Sequence, residues 1–148
     1  MCRWGKRGQI NHAFGRSRGG FSTKIHATCD ALGNPVRFIL TGGHVSDYIP
    51  SIDLIAGFKA KAVLADKGYD GDIFIKAIHD NGAQAVVPPK KNRTIKRECD
   101  YILYKERNKV ECMFGKLKQW RRIATRYDKT DQSFMGFILL ASITLWLN

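Results

Sequence analysis

Cysteine is scarce in this sequence, and the few cysteines do not form a metal-binding pattern. Cys2, Cys29, Cys99 and Cys112 are scattered along the chain, without a C-x-x-C pair or a histidine at zinc-ligand spacing. Their placement argues against a zinc module. We expect free thiols in a reducing cytosol.

The sequence also lacks an apolar run long enough to cross a membrane. Residues 134–147 are strongly apolar, but they fall short of the roughly 20 residues that a spanning helix needs. We interpret them as a buried C-terminal helix. The N-terminus begins with charge and glycine and has no apolar signal region, which predicts a cytoplasmic protein without membrane contact.

The sequence is also poor in acidic residues. The chain has 13 Asp and Glu against 25 Lys and Arg, so its formal charge is +12. The basic excess lies at residues 88–129 and in the first 24 residues, which contain no acid. A polyanion such as nucleic acid is therefore the expected partner. Charge alone predicts no chemistry, because basic structural proteins that bind nucleic acid share such totals.

The first part of the chain predicts an arm followed by a hairpin. Residues 1–20 are rich in Gly and Arg and have no hydrophobic period, so we predict a flexible basic arm. The β-rich runs 21–28 and 36–41 flank a Gly-Asn-Pro turn, which predicts an antiparallel pair of strands.

Helices and short apolar runs alternate in the rest of the chain. The run 62–65 has the pattern of a central strand buried on both faces. Before it we predict a helix over 49–58, capped by Ser46 or Asp47. After it we predict a helix over 73–79, capped by Asp70 or Asp72, then a strand over 85–87 and a long helix over 101–120. This order predicts a single α/β domain over residues 21–148.

The long helix carries the most informative residues. Tyr104, Arg107, Glu111 and Lys118 fall within roughly 60° of one another on its surface, because a helix turns by about 100° per residue. The stripe can also be a solvated face on which Arg107 and Glu111 form an ion pair. The adjoining apolar stripe, expected to dock the helix, consists of Leu103, Val110, Phe114 and Leu117.

These four polar residues resemble the Y-(2)-R-(3)-E-(6)-K signature of insertion-sequence transposases. Three further segments resemble the insertion-sequence-five group: GRSRGGFSTKIH at 15–26, LADKGYD at 64–70 and RRIATRYDK at 121–129. The resemblance covers nearly all of the chain after Gly15. It implies a DDE transposase, an enzyme that cleaves and joins DNA strands.

The resemblance implies a ribonuclease-H-like fold, a mixed sheet flanked by helices, in which two Asp and one Glu hold two divalent ions. Asp66 would be the second Asp and Glu111 the Glu, so both are expected to be catalytic residues and metal ligands. Carboxylates suit Mg²⁺ or Mn²⁺. Two such ions serve the attacking and the leaving oxygen of a phosphodiester.

The implied partner is double-stranded DNA, as transposon ends and as target. Paired transposon ends favour a homo-oligomer on that DNA. The residues that we expect to contact DNA are Tyr104, Arg107, Lys118, Lys90, Lys91, Arg93, Lys96, Arg97, Arg121 and Arg122.

The sequence departs from the family at the first Asp, which should lie on a strand before residue 15. Residues 1–29 contain no Asp or Glu, and Asp30 fits a turn better than a strand. The fold is therefore expected to lack its first strand, and the chain alone to be inactive. Three explanations of the missing Asp stay open. The chain is the product of a split or frameshifted gene, it is completed by an upstream-encoded portion, or it is a decayed DNA-binding remnant or inhibitor.

Two other groups have open roles. His44 and Asp47 follow the second predicted strand and either line the same cleft or serve the loop, with the loop role favoured. Trp4, Trp120 and Trp146 can stack on bases, although we expect Trp146 to be buried.

Overall fold

The computed structural model describes residues 13, 15–17 and 20–147, and within them five strands form two separate sheets. The first sheet is antiparallel, with the order β1-β2-β3, and the second is the parallel pair β4-β5. The strands are β1 (Gly15–Ser17), β2 (Gly20–Cys29), β3 (Pro35–Gly42), β4 (Ala62–Leu64) and β5 (Gln84–Val86). The α/β class is as predicted, but the sheet is not continuous.

Six α-helices accompany these strands in the described part of the chain. They are α1 (Ser51–Ile55), α2 (Asp72–Asp80), α3 (Tyr101–Tyr104), α4 (Asn108–Leu117), α5 (Arg121–Ala124) and α6 (Asp131–Trp146). A 3-10 turn over Lys105–Arg107 joins α3 to α4, so the predicted long helix is one helical segment with a tightened turn. None of the described helices is long and apolar enough to cross a membrane.

The β2–β3 hairpin is the predicted antiparallel pair, and Asp30 closes its turn. The Asp30 carboxylate accepts hydrogen bonds from the backbone N–H groups of Leu32 at 2.9 Å and Asn34 at 2.8 Å. Gly33 has a φ of +90°, a left-handed conformation that favours glycine. Asp30 is therefore a turn residue, as expected.

Two apolar clusters pack the helices onto the sheets. The first cluster joins α1 and α2 to the β4–β5 pair, and its buried members are Ile55, Phe74, Ile75, Ile78, Ala83 and Val87. The second joins α4, α5 and α6 to the hairpin, and its buried members are Met113, Leu117, Ile123, Phe134, Ile138 and Ala141.

Helices cover both faces of the hairpin. Ala27 packs against the second cluster, whereas the Thr28 hydroxyl donates to the Leu54 carbonyl oxygen of α1 at 3.0 Å. Neighbouring residues of a strand point to opposite faces. The hairpin therefore lies between α1 on one face and α4 and α6 on the other.

Part of the predicted flexible arm is ordered. Gly15–Ser17 pairs with the start of β2, and the buried Ala13 donates its backbone N–H to Asp131. Gly20 permits the tight reversal between β1 and β2 because its φ is +103°. The rest of the predicted arm, residues 1–12, 14, 18 and 19, lies outside the described residues.

The predicted helix caps were wrong. Neither Ser46 nor Asp47 caps α1, which begins at Ser51 after Pro50. Asp47 instead pairs with Lys24 at 3.0 Å. Gly71 precedes α2 without a side-chain cap, because the neighbouring carboxylates of Asp70 and Asp72 bind arginines distant in sequence.

Two predictions of burial were also wrong. β4 is only partly buried, because it belongs to a two-stranded sheet rather than to the centre of a larger one. The C-terminal helix α6 buries one face, including Phe134 and Ile138, but Leu140 and Trp146 are 63% and 55% exposed on its outer side. The chain offers no second layer to cover that outer face within the described residues.

Asp70 fixes the loop of residues 90–97. Its side chain is 1% exposed and lies 3.1 Å from Arg93 Nη1 and 2.5 Å from Arg97 Nη1. It also accepts a hydrogen bond from the backbone N–H of Lys90 at 2.8 Å. Asp72, with a side chain 79% exposed, pairs with the same two arginines from outside. One buried carboxylate thus holds both ends of a basic loop.

The second apolar cluster should depend on Ile138. Ile138→Ala should lower the free energy of unfolding by about 2–5 kcal/mol, because Ile138 is fully buried and the change leaves a cavity. Leu140→Ala is the matched control on the solvent side of α6 and should cost no more than about 0.5 kcal/mol. Urea unfolding of both variants measures the free energy of unfolding. Equal decreases in the two variants would contradict the burial of Ile138 in the second cluster.

The bonds from Asp70 to Arg93, Arg97 and the backbone of Lys90, here called the Asp70 clamp, should control how readily a protease reaches the loop of residues 90–97. Asp70→Asn should speed tryptic cleavage within residues 90–97 by more than about tenfold, because breaking a buried charge pair favours local opening. Asp72→Asn removes the exposed partner of the same arginines and should change the cleavage rate far less. Mass spectrometry of timed digests, run where circular dichroism shows folded protein, measures both rates. Equal rates in the two variants would refute the clamp.

Candidate catalytic site

Asp66 lies immediately beyond the carboxyl end of β4. Ala65 still pairs with β5 through its backbone N–H, and Asp66 then begins a 3-10 turn by accepting a hydrogen bond from the Lys67 N–H at 2.7 Å. The carboxyl ends of parallel strands are the usual place for sites in α/β folds. Asp66 is exposed at this edge of the sheet.

Glu111 is connected to Asp66 through two other residues of the signature. The Arg107 guanidinium bonds Glu111 Oε1 at 2.5 Å and lies 5.6 Å from the centroid of the Tyr104 ring. The Tyr104 hydroxyl lies 3.5 Å from Asp66 Oδ1, at the far limit of a hydrogen bond. The structure therefore brings Asp66, Tyr104, Arg107 and Glu111 into one group.

The 3-10 turn between α3 and α4 explains this alignment. In a 3-10 helix the side chains three residues apart lie directly above one another, which places Tyr104 beside Arg107. Lys118 lies exposed at the end of α4, and none of the contacts within the described residues joins it to the Asp66 group.

The charges of this group act on one another. Burial lowers the pKa of Arg107, but the hydrogen bond to Glu111 and the charges of Tyr104, Glu111 and Asp66 outweigh it, so the pKa is raised overall. Burial raises the pKa of Tyr104, with a smaller contribution from Asp66, despite the opposing charge of Arg107. Tyr104 is therefore a neutral donor at physiological pH, and Arg107 is a permanent cation.

A cleft of about 430 Å³, the Asp66 cleft, opens beside Asp66. It is lined by Asp66, Lys67, Gly68, Lys90, Lys91 and Asn92. Lys90 and Lys91 were among the predicted DNA contacts, and the Asp70 clamp brings them here. Lys67 and Asn92 also line the cleft but were not among the predicted site residues. Lys67 follows Asp66 directly in the LADKGYD segment, and that adjacency was a usable signal.

The other predicted DNA contacts lie elsewhere. Arg93 and Arg97 are engaged by Asp70 and Asp72, and Lys96 is exposed. The guanidinium of Arg122 lies 4.8 Å from the Phe137 ring centroid. Arg121 lines a separate cleft beyond the end of α4.

Asp47 lies near the Asp66 group without joining it. Burial raises the pKa of Tyr69, and the charges of both Asp47 and Asp66 raise it further. The ion pair between Asp47 and Lys24 supports the predicted loop role. Among the residues that the structure describes, no three His, Cys, Asp or Glu side chains form a possible metal site.

The comparisons with known proteins show the family to which the chain belongs. A family model described as a transposase DDE domain matches residues 63–148, which contain both Asp66 and Glu111. No solved structure shows a significant match.

Two relatives are named as transposases. One, named for insertion sequence element IS6501 of Brucella ovis, is 42% identical over 128 residues, which cover 85% of this chain and 98% of the relative. Another, named for insertion sequence element IS402 of Burkholderia cepacia, is 30% identical over 158 aligned positions, which cover 99% of this chain and 72% of the relative. The chain therefore belongs to the DDE transposase family of insertion sequences.

Proposed function

We propose that this chain is the catalytic portion of a transposase that binds double-stranded DNA at transposon ends and cleaves and joins its strands. The observation that supports it best is the contact path from Asp66 through Tyr104 and Arg107 to Glu111, beside a cleft with three lysines. Asp66 and Glu111 are the proposed catalytic residues.

The donor set fits a hard divalent cation. Asp66 and Glu111 offer exposed carboxylate oxygens, the ligand type that Mg²⁺ and Mn²⁺ prefer. When bound, two such ions supply a nucleophile at neutral pH and stabilise charge on the leaving oxygen. Asp66 and Glu111 would hold such an ion, and Arg107, which bonds Glu111 in the structure, would be placed to contact a DNA phosphate.

The proposed fold is ribonuclease-H-like with one strand missing. Within the described residues, the backbone of β2 over residues 23–29 pairs with β3 alone, and β4 pairs with β5 alone. A further strand between these two free edges would merge both sheets into one mixed sheet. If that strand carried an Asp, its carboxylate could lie beside Asp66 as the third ligand.

We propose that an upstream-encoded portion supplies this strand, and that the transposase acts as a homo-oligomer. Lys67, Lys90 and Lys91 would then hold the phosphates of the DNA strand in the Asp66 cleft. The loop of residues 90–97, which Asp70 anchors through the backbone of Lys90, positions Lys90 and Lys91, and the 3-10 turn after Asp66 positions Lys67.

A second candidate function is a DNA-binding remnant or inhibitor without catalysis. The observation that favours it is the bond between Arg107 and Glu111, which neutralises one of the two carboxylates. In that case Glu111 would serve only as a partner of Arg107 on a solvated helix face.

The two functions differ in the effect of carboxylate substitutions. In the protein joined to its upstream portion, Asp66→Asn or Glu111→Gln should reduce DNA cleavage by more than about a thousandfold, since metal ions supply several kcal/mol of transition-state stabilisation. DNA affinity should stay within about threefold or rise, because each change removes a negative charge near phosphates.

Glu106→Gln is the matched control for Glu111→Gln. The Glu106 side chain is 58% exposed and pairs with Lys109, while that of Glu111 is 57% exposed and pairs with Arg107. Cleavage of a labelled terminal-repeat duplex should survive Glu106→Gln. Cleavage that persists in Glu111→Gln would remove Glu111 from the site, whereas absence of cleavage in the unsubstituted joined protein would support the remnant.

A further inference from the structure

A second cleft, the tryptophan cleft, lies where the end of α4, the end of α6 and the hairpin turn meet. Its volume of about 980 Å³ is at the upper end of the range for ligand sites. The lining residues that carry the argument are Asn34, Lys116, Gln119, Trp120, Arg121 and Trp146. The two clefts share no lining residue, so this cleft is separate from the Asp66 cleft.

Two partly exposed indoles line this cleft; a hydrogen bond holds the indole of Trp146, and hydrogen bonds of the backbone hold the main chain at Trp120. Trp120 is 44% exposed and Trp146 is 55% exposed. The Trp146 Nε1–H donates to the Pro35 carbonyl oxygen at 2.9 Å. The Trp120 backbone N–H bonds Leu117, and its carbonyl oxygen accepts from Ile123. Large aromatic surface of this kind is suited to binding a flat apolar group, because an indole loses few rotatable bonds on binding.

The cleft is also positively charged. Its lining contains Lys116 and Arg121 and no Asp or Glu. Within residues 20–147, neither cation forms an ion pair, in contrast to Arg93 and Arg97 on the Asp70 side. Gln119 also lines the cleft, and its amide can donate and accept hydrogen bonds. The cleft therefore combines flat apolar surface, positive charge and an amide.

We propose that the tryptophan cleft binds an unstacked nucleotide of single-stranded DNA. The base would stack on Trp120 or Trp146, and Lys116 and Arg121 would contact the adjoining phosphates. Bases inside a duplex keep their faces covered, so only a displaced or flipped nucleotide can use both indoles. The proposal rests on DNA being the partner in the proposed function, but not on the roles of Asp66 and Glu111.

A comparison of single-stranded and duplex DNA tests this proposal. The probes are a labelled oligothymidylate of about ten nucleotides, within the usual site size, and a labelled duplex of the same length. Trp120→Ala should raise the Kd for the single strand by about tenfold or more, the loss expected for one stacked base. The Kd for the duplex should change by less than about twofold. Trp120→Phe should retain most of the affinity, because a benzene ring still stacks.

Leu140→Ala serves as the control for removing exposed apolar surface from this region. It should leave both Kd values unchanged. Since Trp146 also holds the hairpin, Trp146→Ala is interpreted only where its thermal unfolding midpoint matches that of the parent chain. Fluorescence anisotropy gives the Kd values, and sedimentation velocity gives the association state of each variant.

The outcomes separate this proposal from the proposed function. Equal single-strand affinity in the parent chain and Trp120→Ala overturns the tryptophan cleft as a DNA site and leaves the transposase proposal standing. Failure of the parent chain to bind either probe overturns both. If Trp120→Ala abolishes self-association and leaves oligothymidylate binding unchanged, the cleft is an interface with a second copy, and the DNA proposal is wrong.

Discussion

The packing of α4 against the β2–β3 hairpin is the interaction on which the candidate site depends. Met113 and Leu117 are each 1% exposed and lie four residues apart, so they fix the rotation of α4 about its axis. Glu111 precedes Met113 by two positions and therefore faces away from the hairpin, towards Arg107. A change of one residue in this packing would turn Glu111 by about 100° and end its connection to Asp66.

Burial separates the roles of two carboxylates that are only four residues apart. Asp70 has a side chain 1% exposed and is committed to Arg93, Arg97 and the backbone of the basic loop. Asp66 is exposed at the end of β4, and among the described residues its carboxylate meets the Lys67 backbone N–H and, at 3.5 Å, the Tyr104 hydroxyl. The buried carboxylate holds the cleft together, and the exposed one is free to take a ligand.

Sequence patterns predicted the elements that depend on local periodicity and turn chemistry. The hairpin, the turn at Asp30 and the order of strands and helices were confirmed, as was membership of the transposase family. The helix caps were wrong because Asp47, Asp70 and Asp72 bind partners distant in sequence, which local rules do not represent. The burial of Trp146 was wrong because composition shows that α6 is apolar but not which side another element covers. Lys118 makes no contact with the Asp66 group within the described residues, because angular position on a helix does not represent distance along its axis, and Lys118 lies about two turns beyond Glu111.

The central claim is that Asp66 and Glu111 are two ligands of one metal site. Nuclear magnetic resonance of the isotopically labelled protein joined to its upstream portion, titrated with substoichiometric Mn²⁺, tests it most directly. If both carboxylates bind one ion, paramagnetic broadening first removes the signals of residues around Asp66 and around Glu111 together. Asp66→Asn then abolishes the broadening around both residues at once. Broadening confined to one carboxylate, or centred on Asp47 or Asp72, would contradict it.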